Sequence, residues 1–450
     1  MDSMNLKNLD SKKSSWLVLQ SHSWSLRWLS YSAVMVTNTM PRMPHMFRLR
    51  LRKKYSMQSL NPKKVVKPVG DFSQRALAIQ PTGVRKMFDL AGDDVISFGL
   101  GEPDFQPPPI AIEAFHQAML DGRNKYTTTA GLPPLRAKIA ESWHHLESGL
   151  TEDNVCITMS GTNALLNLFL TIVDPGKNVL LPEPYFPLYG PDVTLCGGES
   201  RYYPCLFENE FVPKIEDLES QVDENTVAIL YNFPSNPTGG TLTVEQRDEL
   251  LDFAKRHNLW ILSDEVYDRI VFDAEHVSFV GTNYDKVMLI NSFSKTFAMT
   301  GWRIGYIMSA NLEAMKQVIK MQYYITACSN DAMQYAVLEA MEKASDYPDI
   351  LAKEFHARCN LIVDRLNAMP GVECHRPKGS IYVFPKVQVP GLNSQELAME
   401  LLKDGVLCSP GTAFGPSGEG HLRFAFTISQ EDISHGMDKV EATLNRLNTS

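Results

Sequence analysis

One stretch of the sequence decides the fold: NSFSKTFAMTGWR, residues 291–303. It follows the short apolar run 287–290, whose length is typical of a buried strand. Lys295 comes just after that run, with apolar or small neighbours on both sides. Lysine attacks carbonyl carbons best when burial or a nearby cation lowers its pKa. The stretch therefore predicts a reactive lysine at the end of a buried strand.

The same stretch carries groups that bind phosphate. The hydroxyl of Ser292 and the guanidinium of Arg303 can together hold a phosphate dianion, the arginine through two parallel hydrogen bonds. A lysine that condenses with an aldehyde, next to a phosphate clamp, matches the two reactive ends of pyridoxal 5'-phosphate. The stretch therefore suggests a site for that cofactor.

The full pattern S-x-S-K-x-x-x-x-x-G-x-R-x-G, residues 292–305, resembles the cofactor-lysine signature of the class I/II pyridoxal-phosphate-dependent aminotransferases of fold type I. The aspartate, aromatic and kynurenine aminotransferases are the most similar subgroup. The similarity runs from about residue 70 to the C-terminus. It implies an α/β fold with a large domain, whose mainly parallel central sheet is flanked by helices, and a smaller α+β domain built from both chain ends.

The resemblance divides the chain into an N-terminal extension at 1–69, a large cofactor-binding domain at 110–326, and a small domain made of 70–109 and 327–450. Strands alternate with helices from residue 155 to 306, which is typical of a parallel sheet. The predicted strands are 95–98, 155–159, 227–231, 259–263, 287–290 and 377–384. The predicted helices include one with Leu135, Ile139, Ser142 and Leu146 on one face, one that begins in a capping box at Thr243, one at 393–403, and an amphipathic last helix.

Several candidate residues follow predicted strands, and ligands of open α/β sheets bind outside the carboxyl ends of the strands. Lys295 matches the family's cofactor lysine, and Asp264 matches the partner of its pyridine nitrogen. Asn236, in the run N-P-T-G, and Tyr267 match the donors to the oxygen O3' of the cofactor. The resemblance thus implies that Lys295, Asp264 and Tyr267 are catalytic.

Further matches concern the phosphate and the ring of the cofactor. A helix begins after Ser160, and amides at a helix start bind phosphate. The matching residues are Gly161, Thr162 and Asn163. Phe186 matches the aromatic residue that stacks on the pyridine ring, with Tyr185 as the neighbouring alternative.

The remaining matches concern the substrate and a second subunit. Gly101, Asn236 and Arg423 match residues that hold the substrate, and the arginine would bind its α-carboxylate through two hydrogen bonds. Tyr126 matches a tyrosine that reaches the cofactor phosphate of the other subunit. The resemblance therefore implies a homodimer with shared active sites.

The implied activity is pyridoxal-phosphate-dependent transamination between an L-amino acid and a 2-oxo acid, by a ping-pong mechanism like that of aspartate aminotransferase. Aspartate, alanine, aromatic, kynurenine and branched-chain donors remain open, because no arginine can be assigned to a distal carboxylate. The alternative is a carbon–sulfur β-lyase or related elimination enzyme on the same fold, which needs no 2-oxo acid acceptor. A nicotinamide dehydrogenase does not fit, because no G-x-G-x-x-G follows a strand.

Charge is distributed unevenly along the 450 residues, whose formal net charge is −9. Residues 1–70 carry 13 Lys and Arg against 2 Asp, whereas the remainder carries 30 basic and 50 acidic residues. An acidic folded part gives no support for nucleic-acid binding. Residues 1–69 also lack the periodic apolar positions of a helix-turn-helix, so a regulator that joins this fold to a DNA-binding domain ranks low.

Other features concern metals, membranes and location. The seven cysteines have neither a C-x-x-C nor a metal-ligand spacing, which predicts reduced thiols and no metal. No run of 18 apolar residues occurs, so no transmembrane helix and no membrane partner are expected.

Two interpretations of residues 1–69 remain open. One is a transit peptide to a plastid or mitochondrion. The other is a disordered tail, or an upstream translation start with Met43, Met46 or Met57 as the true start. The expected location is cytoplasmic, with either organelle as the alternative.

Overall fold

The computed structural model describes residues 72–92, 94–273 and 275–449, so the predicted extension at 1–69 lies outside the described residues. The strands are β1 (Ile96–Ser97), β2 (Val155–Thr158), β3 (Asn178–Glu183), β4 (Glu199–Pro204), β5 (Thr226–Asn232), β6 (Trp260–Asp264), β7 (Val287–Ser292), β8 (Gly305–Met308), β9 (Val372–Glu373), β10 (Tyr382–Val383), β11 (Lys386–Val387), β12 (Val406–Leu407), β13 (Ser409–Pro410) and β14 (Leu422–Ala425).

The helices are α1 (Gln74–Ala78), α2 (Gly83–Leu90), α3 (Pro109–Leu120), α4 (Pro133–Ser142), α5 (Gly161–Ile172), α6 (Tyr189–Leu195), α7 (Ile215–Gln221), α8 (Val244–Arg256), α9 (Phe293–Thr296), α10 (Leu312–Thr326), α11 (Asp331–Lys343), α12 (Tyr347–Asn367), α13 (Ser394–Lys403) and α14 (Gln430–Asn448). The predicted capping box at Thr243 begins α8. The helix predicted at 393–403 is α13, and the structure adds a capping box at Asn393.

A seven-stranded sheet in the order β2-β8-β7-β6-β5-β3-β4 forms the centre of the described part. The strands from β7 through β6, β5 and β3 to β4 are parallel, and only β8 runs antiparallel to its neighbours β2 and β7. Strand β7 is buried along its whole length. A strand covered on both faces reads as a continuous apolar run. The predicted α/β class with a mainly parallel central sheet is confirmed.

Helices pack on both faces of this sheet because side chains alternate along each strand. In β5, Ala228 and Leu230 belong to the core beneath α5 and α10, whereas Ile229 and Tyr231 belong to the core beneath α8. The two cores fix the orientation of every strand, since a slip of one residue would exchange the faces. The loops at the carboxyl ends of the strands are therefore held in place.

A further apolar core joins the two ends of the described chain. Phe98, next to β1, contacts Phe424 of β14 with ring centroids 5.6 Å apart. Helices α12 and α14 cover the same core, through Phe355 and Met437 among others. This arrangement agrees with a small domain built from both chain ends, but the division into domains at residues 110 and 326 stays a prediction.

Two local predictions are wrong. The segment 377–384 is a strand only at β10, because Ser380 has a left-handed φ of 67° and Gly379 makes only an isolated bridge to Val271. Leu146 is not on α4, whose hydrogen bonds tighten after Ser142 so that the helix ends there.

Two expectations from composition can be compared with the described residues. All seven cysteines are free, and six of them are buried. No helix in the described ranges is long and apolar enough to cross a membrane.

Candidate active site

Parallel strands end at one edge of the central sheet and bring the candidate residues together there. Asn232 of β5 lies beside Asp264 of β6, which lies beside Ile290 of β7. Asn236 follows β5, and Lys295 follows β7 in the short helix α9. Their loops surround a cavity of about 350 Å³. The predicted residues that line it are Gly101, Gly161, Thr162, Phe186, Asn236, Asp264, Tyr267, Ser292, Lys295, Arg303 and Arg423.

Lys295 is held over this cavity by the turn that follows β7. The Oγ atom of Ser292 accepts a hydrogen bond of 3.1 Å from the Ser294 amide, which starts α9. The Nζ atom of Lys295 donates to the carbonyl of Gly101. Burial lowers the pKa of Lys295, and the positive charge of Arg423 contributes to that shift. A lysine in this setting loses its proton more readily than a solvated one.

Asp264 is a buried carboxylate at the end of β6. Its Oδ2 atom accepts a hydrogen bond of 2.7 Å from the hydroxyl of Tyr189, and the amide of Val266 lies 3.4 Å from Oδ1. Burial raises the pKa of Asp264 to about 6, and the Tyr189 hydrogen bond opposes that rise. The ring of Phe186 packs edge-on against Tyr189, 5.5 Å between centroids. The carboxylate is thus fixed and faces a cavity wall that is partly aromatic.

Arg423 is buried in β14 and has an exposed fraction of 4%. Its guanidinium donates to Oδ1 of Asn236 at 3.2 Å, to the carbonyl of Gly99 at 2.5 Å and to Oγ of Ser409 at 3.4 Å. Its Nε atom has no hydrogen-bond partner among the described residues. Every acceptor is neutral, so the described chain places no carboxylate within ion-pair distance of this buried cation. Such a site favours an anionic ligand.

Aromatic rings fix Arg423 on two sides. The guanidinium carbon lies 4.5 Å from the ring centroid of Tyr382 and 4.7 Å from that of Phe414. The hydroxyls of Tyr382 and Tyr267 are 3.2 Å apart. Tyr382 also lies against Gly101, where a Cβ atom would come within 1.7 Å of its hydroxyl oxygen. Gly101 is therefore required by the close approach of this ring.

The N-terminus of α5 forms the opposite end of the cavity. Ser160 has a left-handed φ of 139° and caps the helix by accepting from the Asn163 amide at 3.1 Å. The amides of Gly161 and Thr162 have no acceptor among the described residues. Arg303, with a left-handed φ of 56°, lines the same cavity and donates to the Thr300 carbonyl at 2.8 Å. Two amide donors and one cation thus converge where an anion could bind.

Three residues proposed from the sequence lie elsewhere. The side chain of Asn163 accepts from the Met159 amide at 3.0 Å and from Gln322 at 3.2 Å, so it supports the turn and does not line the cavity. Tyr126 is 90% exposed and outside the cavity of its own chain. Tyr185, the alternative to the predicted stacking residue, packs on other side chains outside the cavity lining.

Two tyrosines of the site were not found from the sequence. Tyr189 donates to Asp264, and Tyr382 packs on Gly101 and Arg423. Tyr189 lies three residues after Phe186, and Tyr382 lies in the predicted strand at 377–384, but only the tertiary fold brings their hydroxyls to these partners. No spacing within the sequence signals either contact.

The comparisons with known proteins agree with this geometry. The family model "Aminotransferase class I and II" matches residues 93–440. An aspartate aminotransferase of Pyrococcus horikoshii is 34% identical over 379 residues, which cover 83% of this chain and 97% of the relative. Aromatic-amino-acid aminotransferase 2 of Thermococcus litoralis is 35% identical over 383 residues, covering 83% and 98%.

Solved structures show the same likeness. An alanine aminotransferase from Pyrococcus furiosus superposes with a TM-score of 0.80 at 32% identity, covering 83% of this chain and all of the other. A single mutant of Thermus thermophilus aspartate aminotransferase gives 0.79 at 30% identity, covering 83% and 99%. The chain therefore belongs to the class I and II aminotransferases, and it is a pyridoxal-phosphate-dependent transaminase of fold type I.

Proposed function

We propose that the Lys295 cavity is the site at which this transaminase holds its cofactor, and that its preferred amino donors have uncharged, apolar side chains. The observation that supports the site most is one shared cavity: a partly buried lysine, a buried carboxylate and a buried arginine without an acidic partner line it together. These groups lie far apart in the sequence, and a packed core would pair or exclude each of them.

The residues present fit pyridoxal phosphate. Lys295 would hold its aldehyde carbon, Asp264 its pyridine nitrogen, and Asn236 with Tyr267 its phenolic oxygen. When bound, the cofactor supplies an electron sink for the charge that develops at the substrate Cα. The phosphate would accept from the free amides at the start of α5 and from the hydroxyl and guanidinium groups of Ser292 and Arg303. Phe186 would pack on the ring.

Lys295 would then transfer the proton that leaves the substrate Cα. Burial and the nearby guanidinium of Arg423 lower its pKa, so the amine can accept a proton from Cα and return one to a neighbouring carbon. Asp264, with its pKa near 6 in this structure, is mostly ionised at neutral pH, and a cation at the ring nitrogen would lower that pKa further. The carboxylate thus keeps the nitrogen protonated.

Arg423 would bind the α-carboxylate of the substrate. Its Nε atom is buried without a partner, and its other donors have neutral acceptors that a carboxylate can outcompete. The amide of Asn236 lies next to the guanidinium and would help to orient the same carboxylate. Fixing this group would decide which bond at Cα is broken.

The remaining cavity wall favours an apolar side chain on the donor. The cations that line the cavity are Lys295, Arg303 and Arg423, and each already has a role above. The rest of the wall is mostly apolar or aromatic: Val84, Leu100, Leu165, Phe186, Leu188 and Tyr382. A distal carboxylate would lie against these groups without a counter-charge from this chain, which is unfavourable. The aromatic-amino-acid relative is therefore a better guide to the donor than the aspartate relatives.

A donor panel tests the proposed side-chain preference. We expect kcat/KM for phenylalanine, methionine and leucine to exceed that for aspartate and glutamate by about tenfold or more, the factor that corresponds to about 1.4 kcal/mol. Faster turnover of the acidic donors would contradict it. Turnover that continues without any 2-oxo acid would instead indicate the elimination enzyme, since transamination requires an acceptor.

The proposed assembly is a homodimer in which Tyr126 completes the site of the partner. In a single chain, 90% of the surface of Tyr126 is exposed, so its ring is free to contact a partner subunit. The apolar side chains of Leu100 and Met159, near the cavity, are exposed as well. Mixing a Lys295→Ala chain with a Tyr126→Phe chain tests sharing, because one site of each hybrid dimer would contain neither substitution. A cytoplasmic location, with plastid or mitochondrion as the alternative, also stays a prediction.

A further inference from the structure

A second cavity, of about 910 Å³, lies next to the segment that carries Lys295. Phe293, Thr296 and Phe297 line it, whereas Lys295 lines the first cavity, and Ser292 is the one residue that both linings share. The volume lies within the range of pockets that hold small organic molecules. The transaminase chemistry derived above uses no group of this second cavity except Ser292.

Buried aromatic side chains form much of its wall. Trp143, Phe293, Phe297 and Tyr306 each have less than a tenth of their surface exposed. The indole of Trp143 donates to the hydroxyl of Tyr306 at 3.0 Å. The ring of Phe293 lies 5.7 Å from that of Tyr306 and 6.1 Å from that of Phe297. These contacts hold the rings in place, so the wall is formed before any ligand arrives.

One carboxylate oxygen in this cavity lacks a hydrogen-bond partner. Asp268 lines the wall, and its Oδ1 atom is buried without a hydrogen bond. The neighbouring Glu265 differs, because His276 lies 2.6 Å from one of its oxygens and Ser263 donates to the other at 2.6 Å. Burial raises the pKa of Asp268, while the charge of His276 and a hydrogen bond with the side chain of Asn291 oppose that rise, so it is the other oxygen, Oδ1, that has no partner. An unsatisfied buried acceptor of this kind is costly.

The other charges at this cavity balance one another. The lining residues of fixed charge other than Asp268 are three cations and three carboxylates: Lys138, Arg269 and Lys353, with Asp273, Glu275 and Asp349. Arg269 bonds to Asp349 at 2.6 Å, and Lys138 bonds to Glu141 at 2.9 Å. With Asp268 included, the fixed charges that line the cavity sum to one negative charge. Asp273 and Asp349 each form an ion pair, whereas Asp268 forms none among the described residues.

We propose that this cavity binds an organic ammonium ion, which donates a hydrogen bond to Asp268 and packs its apolar substituents on the rings of Trp143 and Phe293. Aromatic walls attract cations through their ring faces, and a carboxylate that accepts from an ammonium N–H gives a charge-assisted bond. The site is separate from the one that binds amino acid and cofactor, and it contacts the back of the lysine-bearing segment through Ser292, Phe293 and Thr296.

The test is a calorimetric titration of the full-length, cofactor-loaded protein with N,N-dimethylbenzylammonium. This tertiary amine keeps one N–H to donate but cannot condense with the cofactor aldehyde. We expect saturable binding of one ammonium ion per chain. Isobutylbenzene, the uncharged carbon analogue of this ion, should bind at least about tenfold more weakly. Absence of saturable binding, or equal affinity for both probes, overturns the proposal.

Two matched substitutions locate the charge. Asp268→Asn removes the negative charge of the carboxylate whose Oδ1 atom is buried, and we expect it to weaken binding of the amine about tenfold or more. Asp349→Asn removes a rim carboxylate that is 69% exposed, and we expect little change. Equal effects of the two substitutions would overturn the assignment. If Asp268→Asn does not fold, the comparison of the two probes on the unchanged protein decides.

Discussion

The most demanding prediction concerns Arg423, because its proposed role depends on the geometry of the guanidinium and not only on its charge. Arg423→Lys keeps the positive charge between the rings of Tyr382 and Phe414. It removes the planar group that reaches Asn236 and Gly99 at the same time. A lysine ammonium is a point charge and cannot hold a carboxylate through two parallel bonds.

The size of the effect follows from the lost hydrogen bond. One hydrogen bond to a charged group contributes about 1.5–3 kcal/mol. Because the second bond to the substrate carboxylate is lost in the ground state and the transition state alike, kcat/KM should fall about 10- to 150-fold. The fall should be similar for all amino donors, since every donor has the same α-carboxylate.

Steady-state kinetics with neutral and acidic donors measure this effect, and Arg376→Lys is the matched control. Arg376 is exposed and bonds to Asn360 and Asp364, and none of the three lines the cavity, so its substitution should leave kcat/KM unchanged. Circular dichroism and cofactor absorbance check that both variants fold and bind the cofactor. A loss in Arg423→Lys that is confined to acidic donors would refute the reasoning, because the arginine would then recognise the donor side chain.

Three other predictions address separate parts of the structure. Tyr189→Phe removes the hydrogen bond that lowers the pKa of Asp264, which is about 6. We expect cofactor binding to the apoprotein to weaken as Asp264 is protonated, and therefore to weaken at a higher pH in the variant than in the unchanged protein. An unchanged pH profile would count against this contact. Tyr126→Phe should weaken cofactor retention in dialysis without dissociating the dimer in gel filtration, and unchanged retention would argue against cross-subunit contact. Deletion of residues 1–60 should leave folding and kcat/KM intact, and a truncated protein that loses most activity would show that the extension packs on the enzyme.

The sequence predicted those parts of the site that depend on strand ends. A buried apolar run precedes each of Asn236, Asp264 and Lys295. Parallel strands place their carboxyl ends at one edge of the sheet, independently of the conformation of the loops that follow. Their meeting in one cavity therefore needed only the strand assignments. Arg423 was identified through its motif, and the structure adds that it is buried without an acidic partner.

Other features depend on tertiary contacts that leave no periodic signal. The hydroxyl of Tyr189 meets Asp264 across 75 residues, and Tyr382 meets Gly101 only because β10 packs against the segment after β1. The antiparallel direction of β8 is visible only in its pairing with β2 and β7, and the four residues of the strand do not encode it. The left-handed residue Ser380 likewise interrupts the segment 377–384, which the sequence predicts as a single strand, so that only β10 remains.

Chemical trapping of the cofactor on Lys295 tests the central claim most directly. Borohydride reduction of the cofactor-loaded protein, followed by peptide mass spectrometry, should show the pyridoxyl group on Lys295 and on no other lysine. Lys295→Ala should still bind the cofactor without covalent attachment, because Asp264, Arg303 and the α5 amides remain, whereas Lys138→Ala should be labelled as the unchanged protein is. A pyridoxyl group on a different lysine, or transamination by Lys295→Ala at a near-normal rate, would contradict the proposed site.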